Sequence, residues 1–142
     1  LVACSEKEPP GHYWDVTALG IVDECNDPTF AFQETFKYRL VFDGNDVVLA
    51  IGEDILASGT IAGCDINYES IIWEETRDEE ITVRWQLTGA ASVFTGGDSC
   101  KMDDTDWRGT ETFEIVYSED PDIAQGCEYE MELDGVYIGE VT

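Results

Sequence analysis

The sequence predicts an all-β chain: a single small antiparallel up-and-down barrel or sandwich of seven to eight strands, closed by two disulfides. Three observations lead there. Apolar and polar residues trade places with a period of two through most of the 142 residues, the signature of strands with one wet face. Turn formers fall between the alternating runs, at Asp43-Gly44-Asn45-Asp46, Gly52-Glu53-Asp54, Gly96-Gly97-Asp98 and Asp120-Pro121-Asp122. No stretch of ten or more residues carries a helical apolar stripe.

The expected strands are 13–23, 34–43, 46–51, 55–68, 80–94, 109–118 and 127–134, with a short one at 136–141. The clearest is Ile81-Thr82-Val83-Arg84-Trp85-Gln86-Leu87-Thr88, which alternates without a break. Phe36, Tyr38, Leu40 and Phe42 share one face of the second strand, and Phe113, Ile115 and Tyr117 one face of the sixth. Tyr129, Met131 and Leu133 alternate with Glu128, Glu130 and Glu132 in the seventh. In the fourth strand Ile61 is out of phase with Cys64, Ile66 and Tyr68, and a bulge near Gly63 would restore the phase. Residues 69–79 either extend two strands into a long hairpin or form a loop over Trp73. Seven or eight such strands joined by short turns favour closure, which removes sheet edges.

Length bounds the chain to about one domain, enough to bury roughly 68–70% of its unfolded surface. An apolar content of 43% is ordinary for a globular fold. Charge is not ordinary: 32 Asp and Glu against 7 Lys and Arg leave a net −25. Such a field repels nucleic acid and anionic lipid headgroups, and no cationic patch exists to release their counterions. A basic protein partner, divalent cations or a salty medium are the compatible surroundings. The acids are spread through the chain among Trp, Tyr and Phe, so they coat a folded body.

The chain opens Leu1-Val2-Ala3-Cys4. This stretch resembles a bacterial lipobox: Leu three positions before the Cys, then a small apolar residue and Ala. The resemblance implies cleavage before Cys4, a lipid anchor on that residue and, with Ser5 following, a place at the outer membrane. Ser5-Glu6-Lys7-Glu8-Pro9-Pro10 is polar and proline-rich, as a tether is. The expected division is a lipobox remnant and flexible tether over 1–10, and an antiparallel β domain over 11–142. Gly11-His12-Tyr13-Trp14 is faintly similar to the Gly-x-Trp opening of lipocalin-like barrels, with one extra residue.

Setting Cys4 aside leaves Cys25, Cys64, Cys100 and Cys127, an even number without metal-ligand spacing. Two disulfides in an oxidising compartment account for them. Up-and-down alternation places Cys25 and Cys100 at one end and Cys64 and Cys127 nearer the other, which favours Cys25–Cys100 and Cys64–Cys127.

No catalytic constellation stands out. His12 is the only imidazole, with no nucleophile at a recognisable spacing. No phosphate loop and no HExxH occur. The expectation is therefore a non-enzymatic chain without a cofactor. Its one candidate cation site is Asp103-Asp104-Thr105-Asp106-Trp107-Arg108-Gly109, whose Asp103, Asp104 and Asp106 offer the hard oxygens calcium takes. It is not an EF-hand. Counting from Asp104, Arg108 falls on a ligand position and Ile115 where Glu is required. Tyr13, Trp73 and Trp107 lie near strand ends, where they would line or plug a barrel mouth.

The functional expectation is an exported cell-envelope lipoprotein. Its acidic surface makes it a binding or structural module, similar in kind to the acidic barrel lipoproteins that block basic lysozymes, though it lacks their loop motif. Two alternatives stand beside it: a lipocalin-like carrier of a small apolar ligand, and a subunit of a larger surface assembly.

Overall fold

The computed structural model describes residues 8–26, 32–94 and 106–142. It is all-β: nine antiparallel strands in one sheet, with a single 3-10 turn at Asp78–Glu80 and no α-helix among the described residues. The strands are β1 (Gly11–Asp23), β2 (Gln33–Asp43), β3 (Asp46–Ile51), β4 (Asp54–Ala62), β5 (Asp65–Glu69), β6 (Trp73–Arg77), β7 (Ile81–Val93), β8 (Trp107–Ser118) and β9 (Glu128–Val141).

Pairing follows chain order from β1 to β5, and β1 also pairs with β9, β9 with β8 and β8 with β7. β5 and β6 then lie in succession along one edge of β7: Tyr68 faces Gly89, and Trp73 faces Trp85. Following the pairings from β1 through β2, β3, β4, β5, β7, β8 and β9 leads back to β1. We call the end where β1 starts the lower end and the end where it finishes the upper end.

Two expected strand boundaries are corrected. The expected fourth strand, 55–68, is a hairpin of β4 and β5 that turns at Gly63-Cys64. Gly63 has φ 62°, the left-handed conformation that glycine adopts without cost. The phase slip at Ile61 belongs to this turn and not to a bulge, because Ile61 and Ile66 are direct cross-strand partners. The expected strands 127–134 and 136–141 are one strand, β9. Gly135 continues it because the Trp107 Cβ and Val16 Cγ2 each lie 2.9 Å from where a Cβ would sit. In the uncertain stretch 69–79, β6 extends the pairing along β7.

The hairpin at Gly63 reverses the direction of every later strand, and this corrects the sulfur pairing. Cys127 opens a descending β9 and stands at the upper end, beside Cys25 at the finish of β1. The bond is Cys25–Cys127, with Cα atoms 5.2 Å apart, so neither Cys25–Cys100 nor Cys64–Cys127 forms. Cys64 sits in the lower-end turn, where its carbonyl accepts a hydrogen bond from the Val93 amide at 2.9 Å.

The lower and middle interior is filled. Trp14, Trp107, Tyr38, Leu40, Leu49, Leu87 and Leu133 are all at most 1% exposed. Trp107 and Trp14 meet edge to face at 5.5 Å, so Trp107 fills the interior and does not line an open mouth. The Trp14 indole N–H is shared between the Phe94 and Asp106 carbonyls at 3.1 Å each. A smaller upper cluster joins Val83, Ile115 and Ile123 to the disulfide, with Trp85 against it.

The last residues of the expected tether are bonded to the sheet. The Tyr13 hydroxyl donates to the Pro9 carbonyl at 2.6 Å, and Lys37 pairs with Glu8 at 3.1 Å. Arg39 donates to the Pro10 carbonyl and twice to that of Gly52. One buried guanidinium thus ties the chain's entry to the β3–β4 turn.

Candidate functional site

Two arrangements of acid dominate the described residues: an outer ladder and one buried carboxyl, that of Glu111.

The ladder runs along β9. Glu128, Glu130, Glu132 and Asp134 alternate with the buried Tyr129, Met131 and Leu133. Period-two geometry therefore sends all four carboxylates to the outer face, spaced about 6.8 Å apart. Glu114 on β8 stands opposite Glu128 at the upper end, and Asp15 on β1 stands opposite Val136 at the lower end, next to Asp134 along the wall. Arg108, opposite Asp134, is 3.7 Å from it across an exposed contact, worth little in water. On the β1 side, Leu19 and Val22 face Glu132 and Glu130 and are partly exposed. The result is a negative wall edged by apolar side chains.

The buried acid is Glu111, on the inner face of β8 and 1% exposed. Both of its oxygens accept from the Tyr38 hydroxyl, at 2.9 and 2.8 Å, and Oε2 also accepts from Tyr68 at 2.6 Å. Tyr68 reaches it by lying across Gly89, where a Cβ would collide with its ring. Burial pushes the Glu111 carboxyl up to about 7, against the opposing pull of the two phenol hydrogen bonds. Burial likewise holds both phenols well above their ordinary value, with the Glu111 charge acting in the same direction. This cluster was missed in the sequence, although a signal was present: Glu111 shares parity with Phe113 and Ile115.

The residues singled out in the sequence lie apart from one another. Cys4 and the lipobox, Cys100, Asp103 and Asp104 lie outside the described residues. Asp106 is described, and its carboxylate accepts the Tyr137 amide at 2.9 Å, fastening β9 to the start of β8. Among the described residues, no three His, Cys, Asp or Glu side chains converge as a metal requires. His12 bonds the Tyr137 hydroxyl through Nδ1 at 2.8 Å, faces Glu140 at 3.4 Å and packs edge-on to Phe42. It stands at the lower end among aromatic rings, lining an open hollow of about 260 Å³ with Phe42, Ile61, Gly63, Cys64 and Val93.

Comparison with protein-family models, with curated proteins and with solved structures finds no match for the chain.

Proposed function

We propose that this chain is a non-enzymatic binding module of a bacterial cell envelope, a closed barrel anchored through Cys4 whose acidic wall meets a basic protein partner. The observation that carries this reading is the β9 ladder, four carboxylates on one strand face with a single cation opposite. Carboxylates held that close repel one another, and a partner bearing Lys and Arg relieves the repulsion and is steered in by the field. The cyclic order of pairings supports closure, and the disulfide at the upper end supports an oxidising compartment. In this reading the remaining pair, Cys64 and Cys100, forms a second bridge, because the chain leaves Val93 beside Cys64 and enters the segment that contains Cys100. The filled interior favours a protein partner over a carried apolar ligand.

Titration with a basic lysozyme as probe tests the wall. Binding is expected at low salt and should fall steeply as salt rises. Changing Glu128, Glu130, Glu132 and Asp134 together to Gln or Asn should weaken it at least about tenfold. Equal weakening by neutralising acids on β4 and β5 instead would refute the assignment to β9.

A further inference from the structure

At the upper end β1 runs past the start of β2. Their pairing reaches Leu19 opposite Gln33, and beyond it the Gly20 amide donates to the Phe32 carbonyl at 2.7 Å. On the other side the register with β9 slips between Gly20, which faces Met131, and Val22, which faces Glu130. Ile21 is the extra residue of that bulge, and a bulge bends its strand and re-aims the side chains around it. Ile21, Val22 and Phe32 are 47%, 41% and 73% exposed. Gly20 lets the buried Tyr129 ring pass beneath β1, since the Tyr129 hydroxyl lies 2.5 Å from where a Cβ would sit.

These residues enclose an open hollow of about 200 Å³, lined by Gly20, Ile21, Val22, Asp23, Phe32 and Tyr129. That is smaller than a typical small-molecule site of about 300–1,000 Å³ and suits one long side chain. Its walls are apolar and its charge is acidic. The Asp23 carboxylate is held in place by the Cys25 and Asn26 amides, which donate to Oδ1 at 3.1 and 2.9 Å. Burial, then the charges of Asp23 and Glu34, raise the Tyr129 phenol above its ordinary value, so both carboxylates bear on the floor of the hollow. The described cations stand elsewhere: Lys37 on Glu8, Arg39 on Pro10 and Gly52, Arg77 on Glu75, Arg84 on Glu74, and Arg108 beside Asp134.

We propose that this hollow anchors one arginine side chain of the basic partner protein, with its methylenes packed on Ile21 and Val22 and its guanidinium laid on the Phe32 ring and donating to Asp23. The inference rests on the binding reading above and names the residue by which that partner is held. Val22 faces Glu130 of the ladder, so the hollow adjoins the acidic wall and one partner covers both. The chemistry selects arginine over lysine. A guanidinium stacks on an aromatic face and its fork of donors matches a carboxylate, whereas an ammonium is a strongly hydrated point charge. The stem of the same side chain covers apolar surface while its head stays with the acids. Arginine is also among the residues that most often carry an interface's binding energy. A second copy of this chain is disfavoured as the partner, because it would bring another −25 charge to the same rim.

The test uses the folded protein and blocked peptides Lys-Gly-Gly-X-Gly-Gly-Lys in which X is arginine, lysine, citrulline or norleucine, titrated at low salt and followed by amide shifts. The arginine and lysine peptides carry the same charge, so the acidic wall alone cannot tell them apart. The arginine peptide is expected to bind at least about fivefold more tightly than the lysine and citrulline peptides, with the largest shifts at Gly20–Asp23 and Phe32. Phe32→Ala should bring the arginine peptide down to the lysine peptide's affinity, with the thermal midpoint unchanged because that ring faces water. Equal affinity for arginine and lysine, with shifts along Glu128–Asp134, would overturn the hollow and leave the acidic-wall reading standing. Binding of norleucine as tight as that of arginine would make the hollow an apolar socket and overturn the cationic anchor. No binding of any peptide would overturn the hollow alone if the basic lysozyme still binds, and both readings if it does not.

Discussion

Glu111→Gln isolates the cost of an ionised carboxyl inside this core. In the folded protein the carboxyl titrates near 7 against an ordinary 4.5. Because the folded value is raised, its contribution is fully present below 4.5 and is lost as pH climbs from there through 7. At 1.36 kcal/mol per pH unit the full loss is about 3 kcal/mol, a large share of a typical domain's stability. Gln keeps an acceptor and a donor for the two phenols and cannot ionise. The stability difference between variant and wild type should therefore favour Gln by about 1 kcal/mol near pH 5, rising to about 3 kcal/mol near pH 8. Urea unfolding followed by tryptophan fluorescence reads it at each pH, since Trp14 and Trp107 are buried in the same core. The surface acids are common to both proteins and cancel in the difference. A difference that does not change with pH, or one that shrinks toward pH 8, would mean that Glu111 does not ionise inside the core at the expense of stability.

Gly89→Val should displace the Tyr68 ring from Glu111. A loss of about 1–3 kcal/mol is expected, and a stability equal to wild type in the same urea assay would contradict the packing. Replacing Cys25 and Cys127 together by Ser opens a bridge spanning 102 residues. Chain entropy puts the loss at about 4–5 kcal/mol, with strain and residual structure in the unfolded chain reducing it; an unchanged thermal midpoint would count against the bond. Stability should rise with sodium chloride, because screening relieves the repulsion of a −25 chain, and a midpoint that falls between low and molar salt would contradict that.

Alternation made most of the sheet legible, since a period of two is a local property and each strand carries its own record of it. The β9 ladder was readable for the same reason, in Glu128-Tyr129-Glu130-Met131-Glu132-Leu133. Parity between strands is not local. One glycine, Gly63, reads equally as a bulge or as a hairpin turn, and choosing the bulge reversed every later strand. That single choice misassigned the partners of Cys25 and Cys127. Glu111 was hidden because a Glu suggests the wet side wherever it falls, and only its phase with Phe113 and Ile115 says otherwise. Ser70 ends the β5 ladder by bonding the Leu87 amide through its hydroxyl, and a serine between Glu69 and Ile71 carries no such signal until Leu87 is placed beside it.

The sulfurs of the protein isolated from its natural source carry both the export and the anchor proposed for it. Peptide mapping by mass spectrometry without reduction should return a Cys25–Cys127 linked pair, a Cys64–Cys100 linked pair and an acylated Cys4. Free thiols at Cys25 and Cys127 with an unmodified Cys4 would contradict both the exported barrel and the envelope function built on it.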